Sequence, residues 1–350
     1  MKKKLWVAAA MAVLMLLTAC KGGTDAPAEG SVPKSPAVQE TDKPEQTETS
    51  DVSEQTDASE WTEDEFVTVT DDLDREVTVK KHPRRVATLI GSFADIWSLA
   101  GGTDSIVATA DDTWTSFDLE LGEDVVNLGA VKDIELEALV AAEPELIIAS
   151  TNTSVDVDLL PTFEELGYTV VYFAVDSFEE YLHMLDICTQ ITGEAENYTR
   201  YGTEVQAQVD AAIAAQDGSE PSVLYIRASG SSVKVKGSEG NVLGEMLAAL
   251  GCRNIADDEE SLLEDLSLEA ILAEDPDYIF IVYQGSDPTD AQNLMEETLL
   301  SNPAWATLRA VSEGRCYVME HRLYNLKPND QWGTAYERLA RILYGEQTTE

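Results

Sequence analysis

Two stretches of the chain share one pattern: "DIELEALVAAEPELIIAS" runs from Asp133 to Ser150, and "DLSLEAILAEDPDYIFIV" runs from Asp265 to Val282. Seven of the eighteen positions are identical. In each stretch a short segment with helical spacing and an acid near its start precedes a proline and an apolar run of strand length. The repeat predicts one helix–strand unit in each half of the chain, with Glu137 and Glu269 at equivalent places.

Both units are surrounded by short apolar segments that alternate with helical segments. The first half opens with "FVTVT" and "REVTVK" on either side of "DDLD", which predicts a hairpin. The alternation that follows is typical of α/β units built on mainly parallel sheets. We therefore expect an N-terminal α/β lobe over residues 66–192 and a C-terminal α/β lobe over residues 218–350.

Residues 193–217 lie between the two lobes. Tyr198, Tyr201, Val205, Val209 and Ile213 recur there every three or four residues, which predicts one long backbone helix of about 33 Å. A helix that joins two lobes restricts their relative motion, so we expect small tilts and no wide hinge closure.

The chain begins with lysines and an apolar run, Leu5 to Leu17, that is too short to span a membrane and fits a secretory signal. "LTAC", residues 17–20, resembles the lipobox of bacterial lipoproteins, which implies cleavage before Cys20 and acylation of that cysteine. An ordinary signal peptide or an uncleaved anchor is the alternative. Residues 21–65 are acidic and lack apolar periodicity, which predicts a disordered tether. This combination predicts localisation at the extracytoplasmic face of the cell membrane, reached only through the lipid.

Charge and cysteine content exclude some classes of protein. Lys and Arg number 23 against 66 Asp and Glu, a net charge of −43, which argues against nucleic-acid or anionic-membrane binding. Cys188, Cys252 and Cys316 show no CxxC spacing, so no disulfide framework or metal cluster is indicated. A Cys252–Cys316 bridge is possible, but three small hydrophobic residues are favoured. No GxSxG, HExxH, P-loop or GxGxxG motif is present, so we do not expect an enzyme.

"DDLDREVTVKKHPRRVATL", the two "LEA" repeats and "NPAWATLRAVSEGRCYVME" together resemble the helical-backbone (class III) substrate-binding proteins of ABC importers. That superfamily binds ferric siderophores, heme or vitamin B12, and the resemblance implies a ligand crevice between the two lobes, at the carboxyl ends of the strands. The resemblance covers roughly residues 66–345 and implies a monomer that captures an iron complex and delivers it to a permease and its ATPase. A heme- or corrinoid-binding protein is the alternative, and a surface enzyme or adhesin on this scaffold is a more distant one. The resemblance also implies that Glu137 and Glu269 dock onto the permease.

Residues directly after strands line such a crevice and are the candidates for ligand binding. Aromatic rings would supply flat apolar area for a chelate or macrocycle, and arginines would supply charge for an anionic iron chelate. The candidates are Phe93, Trp114, Thr151, Asn152, Arg227, Tyr283, Arg322 and Tyr324.

Two observations narrow the ligand. Glu239 stands where catecholate-siderophore binders of this superfamily often carry an arginine, which disfavours that ligand class. With only three histidines, a bare-metal site is not expected, and no cofactor is implied. Axial ligation of heme iron by His321 or Tyr324 stays an alternative.

Overall fold

A computed structural model describes residues 65–117, 119–258, 260–264, 266–285 and 287–345, all within one compact unit. The predicted signal peptide, the predicted lipidation site Cys20 and residues 21–64 of the predicted tether lie outside the described residues. No helix within the described ranges is long and apolar enough to cross a membrane.

The fold opens with the predicted hairpin, in which β1 (Phe66–Thr70) pairs antiparallel with β2 (Glu76–Lys80). Asp71 fixes the turn because its carboxylate accepts the backbone N–H groups of Leu73 and Arg75, each at 3.1 Å. The Arg75 guanidinium donates to the same carboxylate at 2.6 Å. These local hydrogen bonds explain why the "DDLD" segment forms a turn.

The first half forms a five-stranded parallel sheet in the order β5-β4-β3-β6-β7. Its strands are β3 (Val86–Thr88), β4 (Ile106–Thr109), β5 (Val126–Asn127), β6 (Leu146–Ser150) and β7 (Val170–Phe173). Its helices are α1 (Gly91–Leu99), α2 (Asp112–Ser116), α3 (Leu136–Ala141), α4 (Ser154–Asp158), α5 (Leu160–Glu165) and α6 (Phe178–Thr192). The first copy of the repeat thus becomes α3 followed by β6.

The second half forms a sheet in the order β10-β8-β11-β12, with β9 paired antiparallel to β8 and the other pairs parallel. Its strands are β8 (Ser222–Ser229), β9 (Ser232–Lys236), β10 (Arg253–Asn254), β11 (Tyr278–Tyr283) and β12 (Cys316–Met319). Helices α7 (Ala195–Tyr198) and α8 (Glu204–Ile213) belong to the segment that connects the two halves. The helices of the second half are α9 (Val242–Ala249), α10 (Ile255–Asp258), α11 (Glu260–Glu264), α12 (Leu268–Glu274), α13 (Thr289–Met295), α14 (Arg309–Ser312), α15 (His321–Tyr324) and α16 (Trp332–Tyr344). The second copy of the repeat becomes α12 followed by β11.

The segment between the two sheets is helical from Ala195 to Ile213, but it is not the uniform α-helix that the periodicity predicts. It comprises α7 (Ala195–Tyr198), a π-helical turn (Thr199–Thr203) and α8 (Glu204–Ile213). The Tyr201 carbonyl within the π turn accepts a hydrogen bond from the Tyr181 hydroxyl at 2.9 Å. This hydrogen bond links the π turn to α6, which contains Tyr181.

Alternate residues of the central strands face different cores, as the two-residue period of a strand requires. Leu146 and Ile148 of β6 belong to a central core that also contains Tyr225 of β8 and residues of α6, α8 and α16. Ile147 and Ala149 belong to a core on the outer face of the first sheet. Because the central core holds buried residues of both sheets, the two lobes share packed side chains.

The three described cysteines are free: Cys188 is buried, and Cys252 and Cys316 are half-buried. Burial raises the pKa of the Cys252 thiol to about 12 and that of the Cys316 thiol to about 11. The Cys252–Cys316 bridge that the sequence left open is not formed.

Candidate ligand-binding cavity

A cavity of about 500 Å³ lies between the two sheets and is lined from both lobes. The first lobe contributes Ile90, Ser92, Asp112, Phe117, Val131, Lys132, Ser150, Asn152, Thr153 and Asp176. The second lobe contributes Tyr225, Arg227, Gly240, Asn241, Val242, Gln284, Tyr324, Asn325, Leu326 and Lys327. A smaller pocket of about 270 Å³ includes Ile106 and Val107, at the start of β4.

The larger cavity lies where ligands of parallel α/β sheets bind, at the carboxyl ends of the strands. Ile90 follows β3, Asn152 follows β6 and Asp176 follows β7, while Gln284 follows β11. The smaller pocket lies at the opposite end of β4. Position therefore favours the larger cavity as the binding site.

One wall of the cavity contains an ion pair between the lobes. The Lys327 ammonium lies 2.6 Å from the Asp176 carboxylate, and both side chains are largely buried. Asn152 donates a second hydrogen bond to the same carboxylate at 2.8 Å. These bonds hold the loops after β6 and β7 against the segment that follows α15.

Asp112 at the start of α2 ties two helix starts together beside the cavity. Its carboxylate accepts the Gly91 backbone N–H at 2.8 Å. Gly91 lies so close to α2 that an added Cβ would fall 2.6 Å from the Thr113 nitrogen, so no larger residue fits without displacing backbone. Burial raises the pKa of Asp112 to about 6, despite the Gly91 hydrogen bond.

A second contact between the lobes involves Phe117, which lines the cavity. The Arg322 guanidinium carbon lies 4.3 Å from the centroid of the Phe117 ring, and one Arg322 nitrogen lies 3.1 Å from the Asp95 carboxylate. Asn329 donates to the same carboxylate at 2.7 Å and to the Ser92 carbonyl at 3.0 Å. Burial raises the pKa of Asp95, and the Asn329 hydrogen bond and the Arg322 charge partly offset this effect.

Three of the eight predicted ligand residues line the cavity: Asn152, Arg227 and Tyr324. Tyr324 is 2% exposed, and its hydroxyl already donates to the Ala335 carbonyl at 3.1 Å. Arg227 lies on β8, and Asn152 is engaged with Asp176. Whether they contact a ligand stays a prediction.

The other five do not line the cavity, and two of them are held inside the protein. Phe93 is fully buried in the core against Phe173, with ring centroids 6.4 Å apart, because the inner face of α1 packs on the sheet. Arg322 is held by Asp95 and by the Lys327 carbonyl, so it connects the lobes behind Phe117.

The remaining three lie outside the cavity lining for different reasons. Trp114 is 39% exposed on α2. Thr151 is half-buried, and its hydroxyl points to the Phe173 carbonyl at 3.4 Å. Tyr283 packs against the outer core of the second lobe, and its carbonyl is bonded to His321 Nδ1 at 2.9 Å.

The structure also shows the surroundings of the groups that were considered for heme and metal ligation. His321 does not line the cavity, and the Tyr324 hydroxyl is engaged, so neither group is presented for axial heme ligation in this structure. Within the described ranges, no group of three or more His, Cys, Asp or Glu side chains could hold a metal ion. Glu239 is exposed and does not line the cavity, although the next residues, Gly240 and Asn241, do, so its effect on catecholate siderophores stays a prediction.

Several lining residues were not predicted from the sequence. Asp176 follows a strand and could have been found by the rule that identified Asn152. Tyr225 lies within β8 and faces the central core, and Lys327 lies in an irregular segment. For Tyr225 and Lys327 no local pattern indicated a role.

Glu137 and Glu269 lie at matching places in the two lobes. Each is the second residue of its helix, α3 or α12, and each is exposed. Each helix leads into a strand that has a parallel neighbour on both sides. Among the described residues neither carboxylate forms an ion pair.

Comparison with known families gives a match to the model described as "Periplasmic binding protein" over residues 86–323. The ABC transporter substrate-binding lipoprotein YvrC of Bacillus subtilis, itself uncharacterized, is 21% identical over 272 residues, which are 75% of this chain and 79% of the relative. A cobalamin-binding protein of Halobacterium salinarum is 27% identical over 223 residues, which are 61% of this chain and 58% of that protein.

Solved structures show the same fold. The apo form of the periplasmic heme-binding protein RhuT from Roseiflexus sp. RS-1 superposes with a TM-score of 0.62 at 20% identity, over 75% of this chain and 98% of RhuT. The petrobactin-binding protein YclQ of Bacillus subtilis superposes with a TM-score of 0.63 at 16% identity, over 79% of this chain and 99% of YclQ.

Proposed function

The chain belongs to the periplasmic binding protein family and is a substrate-binding protein of an ABC transporter, and on that premise we propose that it captures an iron complex, a ferric siderophore or a similar chelate. In this proposal it is a monomeric lipoprotein, anchored through Cys20 at the extracytoplasmic face of the membrane. It delivers its ligand to a permease and the permease's ATPase.

The observation that carries the proposal is the cavity between the lobes. Its volume of about 500 Å³ lies within the usual range of small-molecule sites, about 300–1,000 Å³. It combines aromatic side chains, Phe117, Tyr225 and Tyr324, with the cations Arg227 and Lys327. This mixture suits a ligand with both apolar area and acidic oxygen atoms. The name of the structural neighbour YclQ, a petrobactin-binding protein, supports an iron complex.

Delivery to a permease is supported by Glu137 and Glu269. A carboxylate that has no partner within its own chain is free to form a bidentate contact with an arginine of another protein. Two such carboxylates, one on each lobe, would also fix the orientation of the docked protein.

A corrinoid or heme ligand is the second candidate. The relative from Halobacterium salinarum is named a cobalamin-binding protein, and RhuT is named a heme-binding protein. An enzyme or adhesin is a more distant alternative.

The ligand experiment uses the visible absorption of the candidates. The purified chain is incubated separately with ferrichrome, ferric citrate, hemin and cyanocobalamin, and unbound ligand is removed by gel filtration. We expect retention of an iron chelate. Retention of cyanocobalamin alone would replace the iron complex by a corrinoid, and retention of none would refute the proposal.

The docking experiment measures ligand-dependent ATPase activity of the cognate transporter in proteoliposomes. The double variant Glu137→Ala/Glu269→Ala should lower stimulation at least about tenfold while ligand affinity stays unchanged. Glu165→Ala/Glu297→Ala, which removes two other exposed acids, is the matched control. Full stimulation by the first variant would contradict the docking role.

A further inference from the structure

The charge of the cavity is opposite to that of the chain. The protein carries 66 acids against 23 Lys and Arg, yet three cations and two carboxylates line the cavity. The cations are Lys132, Arg227 and Lys327, and the carboxylates are Asp112 and Asp176. Asp176 is already paired with Lys327, and Asp112 is the buried carboxyl that accepts the Gly91 N–H.

Arg227 and Lys132 are the two lining cations that form no ion pair among the described residues, and of these Lys132 is exposed whereas Arg227 is half-buried. Within the described ranges no carboxylate lies at ion-pair distance from it. Its cross-strand partner on β9 is Lys234, and Lys236 lies two residues further along that strand. Burial lowers the pKa of Lys236, and the charges of Arg227 and Lys234 lower it further. Three neighbouring cations therefore repel one another beside the cavity, and an anion would relieve this repulsion.

Two buried hydroxyl groups of the cavity lining have no acceptor for their protons among the described residues. Ser92 is 2% exposed and its hydroxyl is unbonded, while Tyr225 is 0% exposed and its hydroxyl has only the side chain of Arg227, a hydrogen-bond donor, beside it. Burial raises the pKa of Tyr225 to about 12, and the charge and hydrogen bond of Arg227 partly oppose this rise. A buried hydroxyl without a partner costs about 1–3 kcal/mol, so such groups are expected where a ligand completes them.

Two helices also begin at this cavity. Helix α1 has nine residues, and the Asp112 carboxylate accepts the N–H of its first residue, Gly91. Helix α9 has eight residues, and the side chain of its N-cap residue Asn241, which also lines the cavity, accepts the Gly244 N–H. The amino end of a helix carries partial positive charge and favours anions, so each helix adds to the positive potential although one of its N–H groups is already bonded. The two helices come from different lobes, as do Ser92 and Tyr225.

We infer that the cavity selects an anionic ligand, a metal chelate or metallo-macrocycle whose carboxylate groups remain free to accept hydrogen bonds. Arg227 forms the ion pair with a ligand carboxylate, and the hydroxyls of Tyr225 and Ser92 donate hydrogen bonds from opposite lobes. This inference rests on the proposed function and adds the charge class of the ligand. Neutral trihydroxamate chelates and corrinoids fit poorly because they leave Arg227 unpaired.

The test compares affinities of the intact chain for ferric citrate, hemin and ferrichrome by isothermal titration calorimetry. Ferric citrate and hemin are anionic with carboxylate groups, whereas ferrichrome is neutral. We expect the tighter anionic chelate to bind at least about tenfold more strongly than ferrichrome. Its affinity should also fall as salt rises from about 50 to about 500 mM.

Variants then assign the contribution of each group. Arg227→Gln should weaken binding of the anionic chelate about 10- to 100-fold, whereas Lys234→Gln should weaken it less than about threefold because Lys234 is exposed and outside the lining. Tyr225→Phe and Ser92→Ala should each weaken binding about 3- to 30-fold. Ser92→Ala should not lower the urea midpoint, because it removes a buried hydroxyl that has no partner. A merely structural role would lower both stability and binding.

The outcomes separate the two proposals. Equal or tighter binding of ferrichrome, or equal effects of Arg227→Gln and Lys234→Gln, would overturn the anionic-ligand inference and leave iron-complex capture intact. Failure to bind ferric citrate, hemin, ferrichrome and cyanocobalamin alike would overturn the proposed function itself.

Discussion

Asp112→Asn tests whether the buried carboxyl beside the cavity opposes folding when it is charged. The side-chain amide oxygen of this variant can still accept the Gly91 N–H, so the substitution removes the charge and keeps a hydrogen bond that measures 2.8 Å in the native protein. Burial raises the pKa of Asp112 from 3.8 to about 6 in the folded chain. Below the unfolded pKa of 3.8 the carboxyl is protonated in both states and does not oppose folding. As pH rises through the folded pKa of about 6, the folded protein must carry a charge that burial disfavours, so stability is lost.

The size of the effect follows from the two pKa values. One pKa unit corresponds to about 1.36 kcal/mol. The unfolding free energy of the parent is therefore lowered by at most about 3 kcal/mol, at about pH 8, and by about half of that at about pH 5. The asparagine variant does not titrate. It should therefore exceed the parent in unfolding free energy by about 1.5 kcal/mol at about pH 5 and by about 3 kcal/mol at about pH 8.

The assay is urea unfolding followed by tryptophan fluorescence at both pH values. Asp104→Asn is the control because Asp104 is exposed, and its difference from the parent should stay near zero at both pH values. A difference for Asp112→Asn that is independent of pH, or one that shrinks as pH rises, would refute the reasoning.

Three further predictions concern packing and motion. Asp95→Ala should lower the unfolding free energy by about 2–4 kcal/mol, since it leaves Arg322 and Asn329 without their carboxylate, and Asp95→Asn should cost less. An unfolding free energy of Asp95→Ala within about 0.5 kcal/mol of the parent, measured by urea unfolding, would contradict this. Phe93→Ala should lower the unfolding free energy by about 3–5 kcal/mol in the same assay, because it opens a cavity beside Phe173. A loss of ligand affinity without a loss of stability would instead indicate that Phe93 contacts the ligand. Ligand binding should change the radius of gyration in X-ray scattering by less than about 1 Å, because both sheets share one packed core, and a wide closure would contradict this.

Sequence signals that act over a few residues predicted their targets well. The hairpin followed from alternation around "DDLD", and both copies of the repeat became a helix followed by a buried strand. The π turn at Thr199–Thr203 was not predicted, because the spacing of apolar residues does not distinguish one π-helical turn from an α-helical turn. The rule that residues directly after strands line the crevice correctly placed Asn152 in the cavity lining. The same rule, applied after β7, would have identified Asp176.

The amino-acid order was enough to establish that the chain folds as α/β units in two halves and that Glu137 and Glu269 occupy equivalent positions, because periodicity and repeats are written in neighbouring residues. Which side chains meet between the halves emerged only from the folded chain. Arg322 reaches Asp95 across 227 positions, and Lys327 reaches Asp176 across 151. Such pairs depend on how the two sheets pack on their shared core, and no local pattern encodes that packing. For the same reason the buried hydroxyl protons of Ser92 and Tyr225, which lack an acceptor, became visible only once both lobes were in place.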